Sequence, residues 1–403
     1  MAGFCAENVC WIVNPNARTE KNKPSEADIA CFSSSVARTV REFHRSLPGF
    51  KPTPMAKLDS LAEKLGVAGI RVKDESFRCG LNAFKILGAS YALSSHLARK
   101  FNLDFEKLTF SALQSQQSKS LIKNVTCITA TDGNHGRAVA WAARQLGCRA
   151  VVYMPQGTTP ARLHSIEDLG ADVDIIDGNY DDAVQKAADD ARRNEWLLLQ
   201  DTIGPGNEDI PIRVMQGYLT MFAEAFDQLG EFVPTHVFIQ CGVGSLAGSL
   251  QAYLVERFGS RRPVLTIVEP TKAACYYESM AANDGNPRKV KGSLNTIMAG
   301  LACGEPNILS WRILREFADV FAACPDEVTV NGMRVMAKPL GDDDRVVSGE
   351  SGAVTLGLLV CMMEKPELAP LKKALNIQSD SKFLLFSTEG DTDPDMYRKI
   401  VGG

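Results

Sequence analysis

Lys85 lies in a segment whose residue types suit a reactive amine. The sequence RVKDESFRCGLNAFKILGAS predicts a strand, a polar turn and a helix that starts at Asn82, with Lys85 in its first turn. The apolar neighbours Phe84 and Ile86 would partly desolvate this lysine. Desolvation lowers the pKa of an amine and favours its use as a Schiff-base nucleophile and general base. A surface lysine whose methylene stem covers apolar side chains has the same local sequence, so the segment alone leaves both interpretations open.

A glycine-rich turn follows a predicted strand at ITATDGNHGRA and contains Asp132 and Asn134. Such turns lie at the carboxyl ends of parallel strands, where open α/β sheets bind their ligands. An Asx turn that caps the following helix explains the same residues equally well. The choice between the two interpretations depends on the rest of the chain.

A second glycine-rich turn, GVGSLAG, has the form of a phosphate site, and its residues are Gly242, Val243, Gly244, Ser245 and Gly248. Glycines allow backbone N–H groups to approach an anion closely, and the helix that follows adds the positive end of its dipole. The glycine spacing, G-x-G-x-x-x-G, differs from the G-x-G-x-x-G spacing of the dinucleotide fingerprint. We therefore expect a phosphate here and not a nicotinamide dinucleotide.

Two other predicted strands end in polar residues. KFLLFSTEGDTD places Ser387 and Thr388 just past a strand, where hydroxyls can hydrogen-bond a ligand ring nitrogen or cap the last helix. LLLQDT places Asp201 at another strand end, where the residue by itself is best explained as a turn or helix-cap residue.

The composition excludes several classes of protein. The 403 residues include 44 Lys and Arg against 48 Asp and Glu, and 45% are hydrophobic, which predicts a globular protein of two or three domains. No basic cluster suggests a nucleic-acid or anionic-membrane partner. The longest apolar run, 352–363, is shorter than the roughly 20 residues that span a bilayer. The start lacks the features of a secretory signal, so we predict a cytoplasmic location.

Cysteine and histidine spacing predicts no metal site. The 11 cysteines include no CxxC pair, and the 5 histidines lie far from one another and show no ligand spacing with the cysteines. An odd cysteine number also argues against a complete disulfide framework, so most of the cysteines are expected to be reduced.

Short β-branched runs alternate with helical segments from Leu58 onward, which predicts an α/β fold of mostly parallel strands. Strands are predicted at 70–72, 125–129, 150–153, 173–176, 197–199, 236–240, 264–268 and 382–386. The clearest helix is 181–194, where alanines recur at helical spacing. Residues 1–46 carry no strong strand signal and are predicted to form an arm that wraps around or pairs with another part. The segment 102–123 is predicted to be a surface insertion.

Taken together and in this order, the motifs resemble the fold-type II pyridoxal phosphate enzymes, which include tryptophan synthase β and threonine dehydratase. Seven ordered segments are similar to an ammonia-lyase branch of that family: KDES-x-R-x-GLNAFK, TDGNHGR, QDT, VEP, TIMAGLACGEPN, SGESGA and STEGDTD. The similarity covers about residues 49–397. It implies two open, twisted, mostly parallel sheets flanked by helices, with a small domain at 76–202 inserted in a large domain made of 1–75 and 203–403.

The resemblance implies a role for each motif in binding pyridoxal 5′-phosphate (PLP). Lys85 would hold the cofactor covalently, and Asn134 would face the 3′ oxygen of its ring. The Gly242–Gly248 turn would bind the phosphate. Ser387, with or without Thr388, would bond the ring nitrogen, and a neutral hydroxyl there leaves the ring less protonated, which suits elimination over transamination.

The resemblance also implies a substrate. Related serine and threonine dehydratases usually carry Ser where this turn has Asp132, and a carboxylate can pair with a second substrate ammonium. Asp201 is the matching second acid of the ammonia-lyase branch. The implied reaction is α,β-elimination of 2,3-diaminopropionate, in the L and D forms, through aminoacrylate to pyruvate and two ammonia. Lys85, Asp132 and Asp201 would share proton transfer and ammonium recognition, in a homodimer.

Other interpretations stay open. Serine or threonine dehydration, or β-replacement on a related amino acid, would need only pocket changes. A non-catalytic cofactor-binding protein is a further alternative, because a fold does not fix a function. The resemblance also places Cys275 and Cys303 near the site entrance, where they would form a disulfide or a lid contact, or remain two thiols.

Overall fold

The computed structural model describes residues 3–17, 26–103, 108–131, 133–202 and 209–402. Within these ranges the chain forms two sheets with helices around them. The strands are β1 Phe4–Ala6, β2 Val9–Val13, β3 Met55–Lys57, β4 Gly69–Asp74, β5 Thr126–Ala130, β6 Arg149–Pro155, β7 Asp172–Ile176, β8 Leu197–Leu198, β9 His236–Gln240, β10 Val264–Pro270, β11 Val320–Cys324 and β12 Lys382–Ser387. The helices are α1 Glu26–Ala30, α2 Ser34–His44, α3 Asp59–Leu65, α4 Ile86–Lys100, α5 Phe110–Leu113, α6 Gln116–Ile122, α7 Asn134–Leu146, α8 Pro160–Glu167, α9 Tyr180–Asn194, α10 Asp209–Gly217, α11 Leu219–Gln228, α12 Ser245–Phe258, α13 Cys275–Ala282, α14 Ile308–Phe317, α15 Asp326–Ala337, α16 Glu350–Glu364, α17 Ala369–Ala374 and α18 Pro394–Gly402.

The larger sheet has eight strands in the order β1-β2-β11-β10-β9-β12-β4-β3. Its central strands, β11, β10, β9, β12 and β4, are parallel to one another, and antiparallel strands lie at both edges. Every residue of β9 and β11 is buried, because parallel strands need helices on both faces to cover them. This mostly parallel α/β architecture confirms the predicted fold class.

The smaller sheet has four parallel strands in the order β7-β6-β5-β8. All four lie between Thr126 and Leu198, inside the range predicted for a small domain. The predicted helix 181–194 corresponds to α9, which begins with a capping box: the Asn179 side chain accepts from the Asp182 N–H, and the Asp182 carboxylate accepts from the Asn179 N–H.

The N-terminal segment contains strands, so the expectation of no strand in 1–46 was wrong. β2 pairs antiparallel with β11, and Trp11 is only 3% exposed. β1 and β2 form a hairpin in which a disulfide joins Cys5 and Cys10. The run VCWIV is short and isolated, so the sequence did not predict it as a strand. β2 nevertheless pairs with another part of the protein, as predicted for the arm.

The segment 102–123 is also more than a surface insertion. Residues 104–107 lie outside the described residues, but α5 and α6 follow them and bury Phe110, Leu113 and Ile122 in the main core. The prediction failed here because the polar run SQQSKS masked the three apolar anchors around it.

No helix in the described ranges combines the length and apolar character needed to cross a membrane. In the same ranges, no group of three or more His, Cys, Asp or Glu side chains is arranged to hold a metal ion.

Candidate active site

Lys85 is held at the carboxyl-terminal side of the larger sheet by the segment that precedes it. The N–H of Phe84 donates to the backbone oxygen of Thr388 at 3.1 Å, and the Gly390 N–H donates to the backbone oxygen of Asn82 at 3.0 Å. Asn82 has a left-handed φ of 54°, so the helix cannot start there as predicted, and α4 starts at Ile86. Lys85 is therefore the residue just before the helix, anchored to the end of β12.

The Lys85 ammonium forms an ion pair with Asp201. Nζ lies 2.6 Å from Oδ2, and the Asp201 residue is only 2% exposed. Burial alone would raise the pKa of Asp201, but the positive field of Lys85 and the hydrogen bond that its ammonium donates outweigh it and lower that pKa, so the carboxylate is ionised. Its second oxygen, Oδ1, is buried and has no hydrogen-bond partner among the described residues. The acid thus has unused hydrogen-bonding capacity.

The backbone of Asp201 is tied to the glycine-rich turn. Its carbonyl oxygen accepts from Ser245 Oγ at 2.5 Å and from Asn307 Nδ2 at 3.2 Å. Asn307 Nδ2 also donates to Ser245 Oγ at 3.0 Å. These bonds hold Asp201, which follows strand β8 of the smaller sheet in the chain, against the start of α12.

The glycine-rich turn is packed closely against Tyr276 and requires glycine for that reason. Gly244 has φ +95°, and a Cβ at this position would lie 1.9 Å from Tyr276 Oη, which itself donates to the Val243 oxygen at 2.9 Å. The turn leads directly into the N-terminus of α12, where backbone N–H groups and the helix dipole favour an anion. Gly248 is different: it lies in α12, and its missing side chain allows contact with Ser310.

The Asn134 side chain connects the two sheets. Asn134 begins α7, its Nδ2 donates to Glu389 Oε2, and its Oδ1 accepts from Arg137 Nη2 at 3.0 Å. Glu389 Oε1 in turn accepts from the Ser351 N–H at 2.9 Å. Glu389, which the sequence motifs contained but did not single out, therefore holds the asparagine of the first glycine-rich turn.

The neighbouring histidine is buried and has one ring nitrogen in use. His135 Nε2 lies 2.9 Å from the oxygen of Leu199, which can only accept, so Nε2 carries the proton. Burial lowers the pKa of His135, and Nδ1 has no partner in the described part of the chain. The imidazole is therefore neutral.

The end of β12 presents one of the two predicted hydroxyls to the site. Thr388 lines the central cavity, whereas Ser387 is fully buried behind it and donates from Oγ to the Glu389 oxygen at 3.4 Å. Thr388 Oγ1 accepts from Gln240 Nε2 at 2.7 Å. Gln240, at the end of β9, was not predicted to be near the site because its position depends on how the strands are ordered.

These residues surround a cavity that is partly open to solvent. The predicted site residues that line it are Lys85, Asn134, Asp201, Gly242, Val243, Gly244, Ser245 and Thr388. Ser387 and Gly248 do not line it, and Asp132 lies outside the described residues. Residues that were not predicted also line it, among them Tyr180, Gln240, Ser351 and Glu389. Tyr180 is held by Gln200, whose Nε2 donates to its hydroxyl at 2.9 Å.

Cys275 and Cys303 are buried thiols that are not joined by a disulfide. Cys303 lines the cavity, and Cys275 Sγ lies 3.8 Å from the Gly242 oxygen. Burial first, and the nearby Glu269, raise the pKa of Cys275 well above its usual range, so this thiol is protonated. The pair therefore packs beneath the glycine-rich turn.

The cavity fits PLP by its chemistry. It combines a lysine amine, a glycine turn at a helix N-terminus for a phosphate, and a hydroxyl from the neighbouring strand end. The chain belongs to the family of pyridoxal-phosphate dependent enzymes, whose family model matches residues 47–379. The predicted family, fold type and cofactor are thereby confirmed.

Within that family, named relatives are similar over nearly the whole chain. Diaminopropionate ammonia-lyase of Salmonella typhimurium is 46% identical over 390 residues, which cover 96% of each chain. The crystal structure of diaminopropionate ammonia lyase from Escherichia coli in complex with D-serine has a TM-score of 0.89 at 44% identity and covers 98% of this chain and 96% of its own. The same E. coli enzyme in complex with an aminoacrylate-PLP azomethine reaction intermediate has a TM-score of 0.88 at 43% identity and covers 99% and 98%.

Proposed function

We propose that this enzyme catalyses the PLP-dependent α,β-elimination of 2,3-diaminopropionate through aminoacrylate to pyruvate and two ammonia. The observation that carries the proposal is the ion pair between Lys85 and Asp201, a buried carboxylate that already binds an alkylammonium group at 2.6 Å. The similarity to enzymes named diaminopropionate ammonia-lyase supports the same substrate.

The charge on Asp201 explains why a diamino acid fits. If Lys85 holds the cofactor, its ammonium is no longer available to Asp201, and an uncompensated buried carboxylate is costly. The β-ammonium of 2,3-diaminopropionate would restore the missing positive charge. Asp201 Oδ1, which has no partner among the described residues, offers this ammonium a further acceptor. The hydroxyl of serine would leave the charge uncompensated.

The other residues have roles in binding the cofactor and moving protons. Lys85 would hold PLP, the N–H groups of Gly242–Ser245 its phosphate, and Thr388 its ring nitrogen. PLP, when bound, stores the electron pair left by loss of the substrate α proton. The Lys85 amine, set free when the substrate's α-amino group takes its place, would accept that proton, and Asp201 would keep the β-amino group protonated so that it leaves as ammonia.

Asp132 completes the proposal as the second acid. The family resemblance supports a role for it with substrate of the opposite configuration, for which the α proton lies on the other face. Asp132→Asn should then reduce turnover of one stereoisomer more than binding of PLP.

The assembly and the domain division also remain proposals. We propose a cytoplasmic homodimer built from a small domain at 76–202 and a large domain at 1–75 and 203–403, which the family resemblance supports. Light scattering of the purified holoenzyme would test the dimer, and limited proteolysis would test the domain boundaries.

The first experiment measures the absorbance of the protein with PLP and then products after addition of L- or D-2,3-diaminopropionate. We expect a cofactor band and two ammonia per pyruvate. One ammonia per pyruvate from serine, without turnover of the diamino acid, would favour the dehydratase alternative. A band without any turnover would leave only cofactor binding.

A variant pair separates the role of Lys85 from a general loss of charge. Lys85→Ala should abolish the cofactor band and lower kcat/KM by about 10⁴-fold or more, since it removes both the covalent anchor and the base. Lys186→Ala removes a lysine that pairs with Asp190 on α9 outside the cavity and should keep the band. A normal band in Lys85→Ala would contradict the assignment.

A further inference from the structure

Gln240 bridges the ends of two neighbouring parallel strands. Its Nε2 lies 2.9 Å from the Phe386 oxygen and 2.7 Å from Thr388 Oγ1. The backbone oxygen of Phe386 can only accept, so the amide nitrogen of Gln240 must face β12. Rotation of the amide would place Oε1 against that carbonyl oxygen, two acceptors in a site where Gln240 is 1% exposed. The amide orientation is therefore fixed.

The orientation of the Gln240 amide determines the direction of the O–H bond of Thr388. One hydrogen of Gln240 Nε2 serves Phe386 and the other is donated to Thr388 Oγ1, which acts as acceptor. The single hydrogen of Thr388 must point elsewhere, and it has no acceptor among the described residues. Thr388 lines the cavity, so this hydrogen is available to a ligand there.

Ser387 cannot take the same role in this arrangement. It is fully buried, does not line the cavity, and directs its own hydroxyl hydrogen to the Glu389 oxygen at 3.4 Å. Of the two hydroxyls at the end of β12, only that of Thr388 has both access to the cavity and a hydrogen that is not already used.

We propose that Gln240 is a positioning residue: by donating to Thr388 Oγ1 it directs the Thr388 hydrogen toward the PLP ring nitrogen, a contact that the family resemblance itself implies. A nitrogen that accepts a hydrogen bond must keep its lone pair, whereas a protonated nitrogen would face the Thr388 hydrogen and be repelled. The ring consequently withdraws electrons moderately, which suits loss of a β substituent over transamination. The inference rests on the proposed placement of the cofactor but not on the identity of the substrate.

The test uses holoenzyme loaded with PLP that is ¹⁵N-labelled in the ring, without substrate. We expect the ring ¹⁵N resonance of the wild-type protein at the position of an unprotonated pyridine. Gln240→Glu, protonated in this buried position so that its hydroxyl donates to the Phe386 oxygen, offers Thr388 an acceptor oxygen in place of the Nε2 donor, so the Thr388 hydrogen turns away from the cavity. The resonance should move toward pyridinium, and PLP should bind roughly tenfold more weakly.

Matched variants separate positioning from simple loss of structure. Gln240→Met keeps the volume but frees the hydroxyl, so its resonance should lie between those of the wild type and Gln240→Glu. Thr388→Val removes the hydroxyl through which Gln240 acts. Adding Gln240→Glu to Thr388→Val should therefore leave the ¹⁵N resonance at the position found for Thr388→Val alone. Ser387→Ala should leave the resonance unchanged. Circular dichroism and thermal unfolding establish that each variant is folded.

Two outcomes would overturn the proposal: a protonated ring nitrogen in the wild-type enzyme, or a resonance in folded Gln240→Glu that is the same as in the wild type. A merely structural role for Gln240 would lower the melting temperature without moving the ¹⁵N resonance, which also counts against the proposal. None of these readouts depends on turnover of 2,3-diaminopropionate, so failure of the proposed substrate would be seen separately.

Discussion

Two lysines twelve residues apart, Lys73 and Lys85, both bind buried carboxylates, but their surroundings differ. Lys73 is fully buried, and its Nζ donates to Glu224 Oε2 at 3.1 Å, to the Thr53 oxygen at 2.8 Å and to Gln228 Oε1 at 2.8 Å. These three bonds use all three hydrogens of the ammonium. The Lys85 ion pair instead faces a cavity and leaves one oxygen of its aspartate without a partner among the described residues.

Arg78 completes the first arrangement. It donates to both oxygens of Glu75 and to both oxygens of Glu224, and Thr53 donates to Glu75 Oε1 at 2.6 Å. Two positive and two negative side chains thus neutralise one another in the core. A buried charge cluster in which every hydrogen-bonding group has a partner stabilises the turn that contains it. An ion pair that lies beside a cavity, with one acceptor oxygen not yet used, can instead exchange its lysine for another ammonium group.

The strongest test of this difference is Arg78→Met, which removes the centre of the satisfied cluster. It leaves Glu75 and Glu224 buried without their main partner, so we expect the free energy of unfolding to fall by about 3–5 kcal/mol. Urea denaturation of the purified protein measures it. The matched control is Arg71→Met on β4, the strand that precedes Arg78 in the chain, because Arg71 pairs with the exposed Asp59. Its loss should cost about 1 kcal/mol or less, and equal costs for both variants would refute the distinction.

Asp201→Asn tests the other region. The amide cannot balance a substrate ammonium, so kcat/KM for 2,3-diaminopropionate should fall about 10²-fold while the cofactor band and the folding stability stay close to those of the wild type. Asp190→Asn is the control, since Asp190 also pairs with a lysine but does not line the cavity. A stability loss in Asp201→Asn as large as that of Arg78→Met would place this pair with the structural cluster.

The smallest expected effect concerns His44, which lies near the satisfied cluster and uses both ring nitrogens, on Thr220 Oγ1 at 2.7 Å and the Leu87 oxygen at 2.9 Å. Burial, aided by the Arg78 charge, lowers the pKa of His44 from 6.5 to about 3. Between these two pH values the unfolded chain therefore binds a proton that the folded chain does not. The contribution of neutral His44 to folding stability is complete above pH 6.5 and is lost as the pH falls toward 3.

Relative to His44→Gln, the wild-type protein should lose up to about 1.4 kcal/mol of stability per pH unit between pH 6.5 and about 3. Denaturation curves at pH 7, 6 and 5 measure the difference. A constant difference between the two proteins across these three values would show that His44 has the same pKa in the folded chain as in the unfolded chain.

Local sequence suggested candidate chemistry where one continuous motif carries it, as at Lys85, the GVGSLAG turn and the STEG strand end. For Lys85 it left the alternative of a surface lysine open until the motifs were taken together. Of the site residues named from these three motifs, all line the cavity except Ser387 and Gly248. Asp201 was ambiguous on its own, because a strand-end aspartate is usually a cap, and only the seven ordered motifs changed that interpretation.

The remaining contacts depend on strand order, which a single segment does not encode. Gln240 and Thr388 meet because β9 lies beside β12, although 148 positions separate them. The Asn134–Glu389 bond similarly joins two different sheets. The missed strands β1, β2, β3 and β11 have three to five residues each, too few for their periodicity to stand out.

The order of the larger sheet also has a consequence for synthesis on the ribosome. β12 lies between β9 and β4, yet it follows all the other described strands in the chain. Until it emerges, β3–β4 and β9–β11 are separate pieces with unpaired edges, while the smaller sheet, drawn from a single continuous segment, can already form. The hydroxyl of Thr388 arrives with that last strand, so a nascent chain acquires its complete cofactor site only when the larger sheet can close.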